Sequence, residues 1–504
     1  MSLRQTTLAV VCVLWAASLP AVIDAQLSGS VRPNILFIAV DDLRTELGCY
    51  GLPHVQSPCL DQLAAESVLF TNHFVQAPTC GASRYALLTG QSPARSNAHS
   101  NQSLYQGPTR LSPTQLAAAQ TFPELFRRNG YRTICIGKIS HTPDGRVFAY
   151  DGSGDGRPEL PHAWDELATP FGPWHRGWGS FFAYAGGRHR EDGLGNRDLM
   201  EFVATSDDEL PDGMMAAAAI EKLDELAQDN TQSGQPFLLG VGFFKPHLPF
   251  VATRGDWEAY AEVDIPPPDH PDQYDSKYWH RSGEFYKYDM SLNKTRPLSA
   301  DDAVQAKRAY LACVRYVDRQ VGRVLDALKR NGLHDNTIVV VWGDHGWHLG
   351  ESAIWGKHTP FDRALNSSLI IRAPGVSRAG HRCNALVEST DIYPTLVDLC
   401  QLETRETFRP LDGASLRDHL AVQVHAPGGA ALSYWQDGVT VRTPTHRLIA
   451  RTRRFHPDPG QRQHPLTDIE LYELSDGPDP VDNVAPSQSE VVLDLLEFIP
   501  DSMD

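Results

Sequence analysis

Four stretches of the chain are apolar or nearly so, show no polar alternation, and end in reactive residues. Asn34–Val40 stops at Asp41-Asp42, and Tyr131–Ile136 leads into Gly137-Lys138, with His141 just beyond. Pro236–Phe244 leads into Lys245-Pro246-His247, and Thr337–Trp342 stops at Gly343-Asp344-His345-Gly346. Runs of this kind suit strands covered on both faces, as in a parallel sheet. Helix patterns lie between them. Thr121-Phe-Pro-Glu124 reads as a capping-box start, and Asn129-Gly130 as the stop. Ser299–Asp302 opens a longer helix with apolar positions at Leu311, Val314, Val317, Val321, Val324 and Leu328, closed by Asn331-Gly332. Strands alternating with helices predict a doubly wound α/β domain. In such sheets ligands sit beyond the carboxyl ends of the strands, and all four polar clusters fall there.

Beyond about residue 415 the pattern changes. The segment GGAALSYWQDGVTVRTPTHRLIAR reads as antiparallel strands with short turns, DIELYELSDGPDPVDNVA as one more strand and a loop, and Ser487–Phe498 as a final helix. The organisation expected is a leader over 1–25, a catalytic α/β domain over 26–415, and a smaller C-terminal subdomain over 416–504. Gln436 or His446 of the latter can reach the site. Residues 251–298, rich in Pro, Asp, Tyr and Trp, predict a long loop at the site mouth.

The leader is read from Arg4, the apolar run Leu8–Leu19 and the exit Ile23-Asp24-Ala25. Its run is short for a membrane span of about 20 residues. It implies the secretory pathway: periplasmic or extracellular in a bacterium, lysosomal or secreted in a eukaryote. Of eight cysteines, Cys12 lies in the leader, so an odd seven remain. Cys383 and Cys400 are the first pair to examine for a bridge. Sequons occur at Asn101, Asn293 and Asn366. A net charge of −17 argues against a nucleic-acid partner, and it requires local cations wherever an anionic substrate binds.

Asp41, Asp42 and Asp344 supply carboxylate oxygens and His345 a nitrogen. Neighbouring aspartates repel unless a cation lies between them. An oxygen-rich set favours a hard ion, calcium or magnesium, and zinc ranks lower. Arg84, Lys138, Lys245 and Lys357 are the cations that can hold a tetrahedral anion, and His141 and His247 can move protons near neutral pH. Cys80, in Pro-Thr-Cys-Gly-Ala-Ser-Arg84, lacks the spacing of a cysteine phosphatase loop. On residue chemistry alone it stays open between buried thiol, thiolate nucleophile and precursor.

Cys80-Gly-Ala-Ser-Arg84, followed by Leu88-Thr89-Gly90, resembles the signature of the type I sulfatases. In that family the cysteine of C-x-P-x-R is oxidised after synthesis to formylglycine. Here Ala82 replaces the proline, and Gln91 stands where arginine usually follows Thr-Gly. The stretches DDLRTELGCYG, GKISH, GFFKPHLPF and GDHGWHLGE look most like the iduronate-2-sulfatase branch, and the likeness runs from about Pro33 to about Pro374. It implies an alkaline-phosphatase-like fold: a mixed, mostly parallel sheet flanked by helices, with a smaller α+β subdomain. It also implies a calcium ion on Asp41, Asp42, Asp344, His345 and residue 80, and a formylglycine-generating maturation enzyme as partner. Arg84 and Lys138 would steady the hydrated aldehyde. His141 would help eliminate sulfate, Lys245 and His247 would face the ester with His247 as acid, and Lys357 would grip the sulfate. The aldehyde has a physical rationale, because a hydrate can expel sulfate by collapsing to the carbonyl, whereas a serine would need water to attack sulfur.

The implied substrate is a sulfated carbohydrate, and the branch likeness favours a 2-O-sulfated uronate. Trp174-His-Arg-Gly-Trp178 and Gly186-Gly-Arg-His-Arg190 mix aromatic and cationic residues, which suits a sugar carrying sulfate or carboxylate. Two rivals stand beside this reading: a phosphodiester or phosphonate monoester hydrolase of the same superfamily, and a glycan-binding protein without activity. A phosphate-ester assay separates the first, and an intact Cys80 argues against the second.

Overall fold

A computed structural model describes residues 32–175, 177–290, 292–293, 295–402, 407–421, 429–452, 466–475, 477 and 479–500. The expected leader lies outside them. The main sheet contains β1 (Asn34–Val40), β2 (Val68–Phe74), β3 (Arg132–Gly137), β4 (Glu166–Leu167), β5 (Phe237–Phe243), β6 (Thr337–Gly343), β7 (Leu369–Arg372) and β8 (His381–Glu388). Their order across the sheet is β8-β2-β7-β6-β1-β5-β3-β4. β7 alone runs against its neighbours β2 and β6, and every other pairing is parallel. The expected mixed, mostly parallel sheet is present, with β1 at its centre.

β1 shows why its run is unbroken. Leu36, Ile38 and Val40 enter one core, while Ile35, Phe37 and Ala39 enter the other. The first face is covered by α1 (Pro58–Ala65), α4 (Pro211–Ser233) and α5 (Ala300–Arg330), the second by α2 (Cys80–Thr89), α3 (Phe122–Arg128) and α6 (Ile392–Leu399). The six apolar positions expected of the long helix are all buried in α5, whose start is capped by Ser299 accepting from Asp302 N at 3.2 Å. At α3 the expected capping box does not form. Glu124 accepts from Gln120 N at 2.8 Å, one residue earlier than the motif requires, and Thr121 Oγ1 is buried without a partner. α4 escaped the sequence reading.

The C-terminal sheet is β9 (Ala431–Trp435), β10 (Gly438–Arg442), β11 (His446–Arg451) and β12 (Thr467–Glu473), antiparallel throughout and followed by α7 (Ser489–Leu496). It joins the main body through Tyr434 N to Gln76 O at 2.8 Å and Leu432 N to Glu388 Oε1 at 2.6 Å. The expected loop over 251–298 carries a short strand, Phe250–Thr253, and a helical turn, Arg254–Glu258. Its Tyr274, Tyr278 and Trp279 pack with Phe361, Ile449 and Tyr472.

The bridge between Cys383 and Cys400 is not made, because Cys383 is a thiol. Cys383 lies on β8 and Cys400 caps the end of α6. Both fill space in one apolar core, as small hydrophobes do. Asn101 and Asn366, read as sequons, have inward hydrogen bonds: Asn101 Oδ1 accepts from Gly81 N at 2.9 Å, and Asn366 Nδ2 donates to His73 O at 3.0 Å. No helix among the described residues is long and apolar enough to cross a membrane.

Candidate active site

Each polar cluster follows the carboxyl end of its strand: Asp41-Asp42 after β1, Lys138 after β3, Lys245–His247 after β5, Asp344-His345 after β6. The ends of β3 and β5 approach so closely that a Cβ on Gly242 would lie 2.3 Å from Lys138 backbone, which leaves room only for glycine. That contact carries the bond Lys138 N to Gly242 O at 2.8 Å and aims Lys138 into the site. Cys80 opens α2, whose ten residues are all buried. Asn101 Oδ1 fixes this start by accepting from Gly81 N and from Thr79 Oγ1, both at 2.9 Å. The helix end also presents positive partial charge to residue 80.

Ligand atoms of Asp41, Asp42, Cys80 and His345 lie within 4.8 Å of one another, and all four residues are buried. Cys80 Sγ is 3.6 Å from Asp41 Oδ1 and 3.3 Å from His345 Nε2. Asp344 borders the set, with Oδ1 3.6 Å from His345 Nε2 and 2.9 Å from Asp42 N. His345 Nδ1 faces the carbonyl of Gly346 at 3.0 Å. A carbonyl only accepts, so Nδ1 carries the proton and Nε2 turns a lone pair to the carboxylates, the arrangement of a metal-binding histidine. Asp42 Oδ2 is buried with no hydrogen-bond partner. Burial, with Asp41 and Cys80 adding to it, pushes the Asp42 carboxyl well above its usual range, whereas Asp41 is held well below by Lys138, His247, Arg84 and Lys357 against the effect of burial. Oxygen donors that crowd one another, one of them orphaned, fit a hard divalent cation.

The cations interleave with these groups. Arg84, fully buried, reaches Asp344 Oδ2 from Nε at 3.1 Å, Asp41 Oδ2 from Nη2 at 3.4 Å, and the carbonyls of Lys138 and Ile139 from Nη1. Lys138 pairs with Asp41 and lies over the Phe181 ring at 4.3 Å. Lys357 Nζ is 2.7 Å from Asp42 Oδ1 and 3.3 Å from Cys80 Sγ. Burial alone would lower the pKa of Lys357, but Asp42, Cys80 and Asp41 raise it well above its usual value. Burial and Asp41 push the Cys80 thiol up to about 12, against the pull of Lys138 and Lys357.

The remaining predicted residues divide. His247 Nε2 stands 3.9 Å from Asp42 Oδ2, and its Nδ1 donates to Leu248 O at 2.6 Å. His141 packs against Trp178 with ring centroids 5.3 Å apart, its Nδ1 buried without a partner. Lys245 is not turned to the carboxylates. Its ammonium donates to the carbonyls of His247 at 2.9 Å and Pro249 at 2.6 Å, so the expected grip on the ester is a tie inside the loop that carries His247. His446 bonds Gln488 in the small sheet, whereas Gln436 follows Trp435, which stacks on His358 beside Lys357 at 5.0 Å. Of the two expected sugar loops, Trp178 and Arg190 border the site. Arg188 is paired with Glu201. The sequence reading missed Asn101, Phe181, Tyr150 and Glu284, and also Trp347, whose ring centroid lies 5.4 Å from Lys357 Nζ. Asn101 lay hidden inside a sequon, and Glu284 in a loop without periodicity.

The sequence model of the family described as Sulfatase matches residues 33–402. A sulfatase of Formosa agariphila is 31% identical over 379 residues, covering 74% of this chain and 70% of that protein. Iduronate 2-sulfatase of Mus musculus is 30% identical over 437 residues, covering 78% and 74%. The solved phosphonate monoester hydrolase of Agrobacterium radiobacter shares the fold, with a TM-score of 0.70 at 21% identity over 92% of this chain and 94% of that one. With nearly three quarters of its length matched by the family model, the chain belongs to the sulfatase family of sulfuric ester hydrolases.

Proposed function

We infer that the protein removes an O-sulfate from a sulfated carbohydrate, using formylglycine made from Cys80 as nucleophile and a calcium ion on Asp41, Asp42, Asp344 and His345. The observation that carries this reading is the convergence on Cys80 Sγ of Asp41, His345 and Lys357, at 3.6, 3.3 and 3.3 Å, in a buried cluster at the sheet edge. When present, the aldehyde hydrate supplies the attacking oxygen, and the ion supplies charge that steadies it and the ester oxygens.

This chain's own residues do the rest. Arg84 fixes Asp41 and Asp344 as a fork that a lysine cannot reproduce. The formal charges of Asp41, Asp42 and Asp344 are balanced by Arg84, Lys138 and Lys357, so a divalent cation makes the site positive and suited to a sulfate monoester. Lys357 and Lys138, fixed beforehand by their carboxylates, hold the sulfuryl oxygens as charge moves onto them. His247 keeps a proton on Nδ1 through Leu248 O. Burial first, then Lys357 and Lys138, hold its pKa well below the usual histidine value, against the expectation of a group that titrates near neutral pH, so Nε2 carries a proton to the leaving alcohol only when the negative charge of the bound sulfate ester stands beside it. His141, with its unpartnered Nδ1, takes the proton that frees sulfate from residue 80.

Likeness to iduronate 2-sulfatase supports a sugar as the alcohol, and the leader expected from the sequence would place maturation by a formylglycine-generating enzyme in a secretory compartment. The test is the mass of the tryptic peptide Thr45–Arg84 from protein made in its native host. Loss of H2S and gain of one oxygen at residue 80, with sulfate release that calcium supports, is the expected result. An unmodified thiol in fully active protein refutes the reading. Faster hydrolysis of a phosphonate monoester than of any sulfate ester would favour the rival activity.

A further inference from the structure

The loop over 251–298 returns to the nucleophile at one residue. Glu284, just before the turn Phe285–Lys287, brings Oε1 to 3.9 Å from His247 Nε2 and 3.8 Å from Arg190 Nη1. Both separations exceed hydrogen-bonding range, and no closer donor to this carboxylate is found among the described residues. Its side chain is 20% exposed, so it is partly withdrawn from water yet open to the mouth. Its charge is felt by Lys357 and by Tyr150.

One exposed ring, Tyr150, lies over a buried aromatic cluster on the same side. Trp178 borders His141, and Tyr150 meets Trp178 edge-on with centroids 4.6 Å apart. Tyr150 is 49% exposed, so part of its ring is open to a ligand. Arg190 is the cation that would be expected to attract a carboxylate here, but it is already engaged. Its guanidinium lies 3.3 Å over the Phe182 ring, Nη1 donates to Tyr288 Oη at 2.8 Å, and Nε donates to Glu191 at 2.7 Å. Two further basic residues of the loop, His280 and Lys287, act on His358, which stacks with Trp435.

Beside His247 the rim therefore offers an aromatic face and a carboxylate able to accept. A carboxylate takes hydrogen bonds from hydroxyls and repels an anion placed at the same point. An aromatic face takes the C–H face of a sugar ring. We propose that this rim is the subsite for a neutral, hydroxyl-bearing sugar: Tyr150, backed by the buried Trp178, supports the ring, Glu284 accepts a hydrogen bond from a hydroxyl near the sulfated carbon, and a sulfated uronate is turned away. The proposal rests on the sulfatase reading above and sharpens it. The sulfate is not repelled, because Lys357, Lys138 and Arg84 surround its place, whereas a carboxylate on the ring would meet Glu284. Discrimination of this kind is built from repulsion of the wrong substrate as much as attraction of the right one.

The test uses mature protein carrying formylglycine and three probes: 4-methylumbelliferyl sulfate, monosulfated methyl galactosides and glucosides, and a 2-O-sulfated uronate disaccharide. The expected result is a kcat/KM on at least one neutral sugar sulfate about tenfold or more above that on the uronate. Glu284→Gln then lowers the neutral-sugar value by about 10- to 100-fold, the worth of one hydrogen bond to a charged group. The same variant hydrolyses the uronate ester faster than the wild type does. Tyr150→Ala raises KM for the sugar more than it lowers kcat. Wild-type turnover of the uronate equal to that of the best neutral sugar overturns the proposal. An equal loss on all three probes in Glu284→Gln overturns it too, and makes Glu284 a support for His247. Absence of sulfate release from every probe, the aryl ester included, would remove the sulfatase reading itself and this subsite with it.

Discussion

Lys245→Met separates two roles for one ammonium. A residue that grips the substrate, once removed, weakens binding and leaves the fold intact. A residue that ties a loop, once removed, weakens the fold and misplaces what the loop carries. Lys245 Nζ donates to His247 O and Pro249 O at 2.9 and 2.6 Å while only 5% exposed. Bonds to a charged group are worth about 1.5–3 kcal/mol each, so the two contribute about 3–6 kcal/mol before any cost. The cost is burial of the ammonium, the largest influence on Lys245 and the one that lowers its pKa despite Cys313, Asp212, Asp41 and Asp42. Methionine has nearly the same reach and removes that cost, but it leaves two buried carbonyls unsatisfied. The net loss is about 2–4 kcal/mol, read as a lower urea midpoint at unchanged slope. His247 shifts with its loop, and a displacement near 1 Å costs about 100-fold in kcat for an ester with a poor leaving group. KM should stay within about threefold. A tenfold rise in KM with an unchanged urea midpoint would refute the argument and return Lys245 to the substrate.

Two further outcomes follow from buried charge. Glu388 and Asp391 sit together at the end of β8, where burial first, and for Glu388 also the charge of Asp391, raise both carboxyls above their usual range. The folded protein thus holds protons that the unfolded chain gives up near pH 4–5, so stability should fall as pH rises from about 5 to about 8. Glu388→Gln should flatten that decline in a series of urea melts, and an unchanged slope would count against it. Asp42→Asn keeps the shape of the metal cluster but removes charge from the residue with the orphaned oxygen. It should lower sulfate release by at least about 100-fold and abolish the rise in melting temperature that calcium gives chelator-treated wild type; a preserved rise would sink the assignment.

Much of the fold could be read because the central strands are buried on both sides. Asn34–Val40, with every residue buried, leaves no alternation to confuse, and a parallel sheet gathers its carboxyl ends at one edge. Asp41, Asp344 and Lys138 were legible for that reason. β7 could not be read as reversed, since strand direction is set by pairing across the sheet and leaves no mark on four apolar residues. α4 was missed because its alanine-rich run has a weak stripe. Lys245 was placed at the site by its neighbours in sequence. The direction of its side chain depends on carbonyls two and four residues on, which periodicity does not encode. Thr121-Phe-Pro-Glu124 had the letters of a capping box, but Glu124 found the amide of Gln120 instead.

Cys80 is 4% exposed on a helix with no exposed residue, and its neighbour Gly81 is closed over by the Asn101 backbone. No enzyme can draw that segment into its own cleft without first unfolding the centre of the sheet edge. On the formylglycine reading proposed above, oxidation of Cys80 would then be an event in the life of the nascent chain, in a race with folding. On that reading each molecule would be decided once: chains that fold first would be locked inactive, with the wrong atom at residue 80. Specific activity in a preparation then reads out timing during synthesis. Slowing the closure of the Asn101 loop, by cold or by a weakened contact there, should raise the fraction of molecules that leave the ribosome's neighbourhood competent.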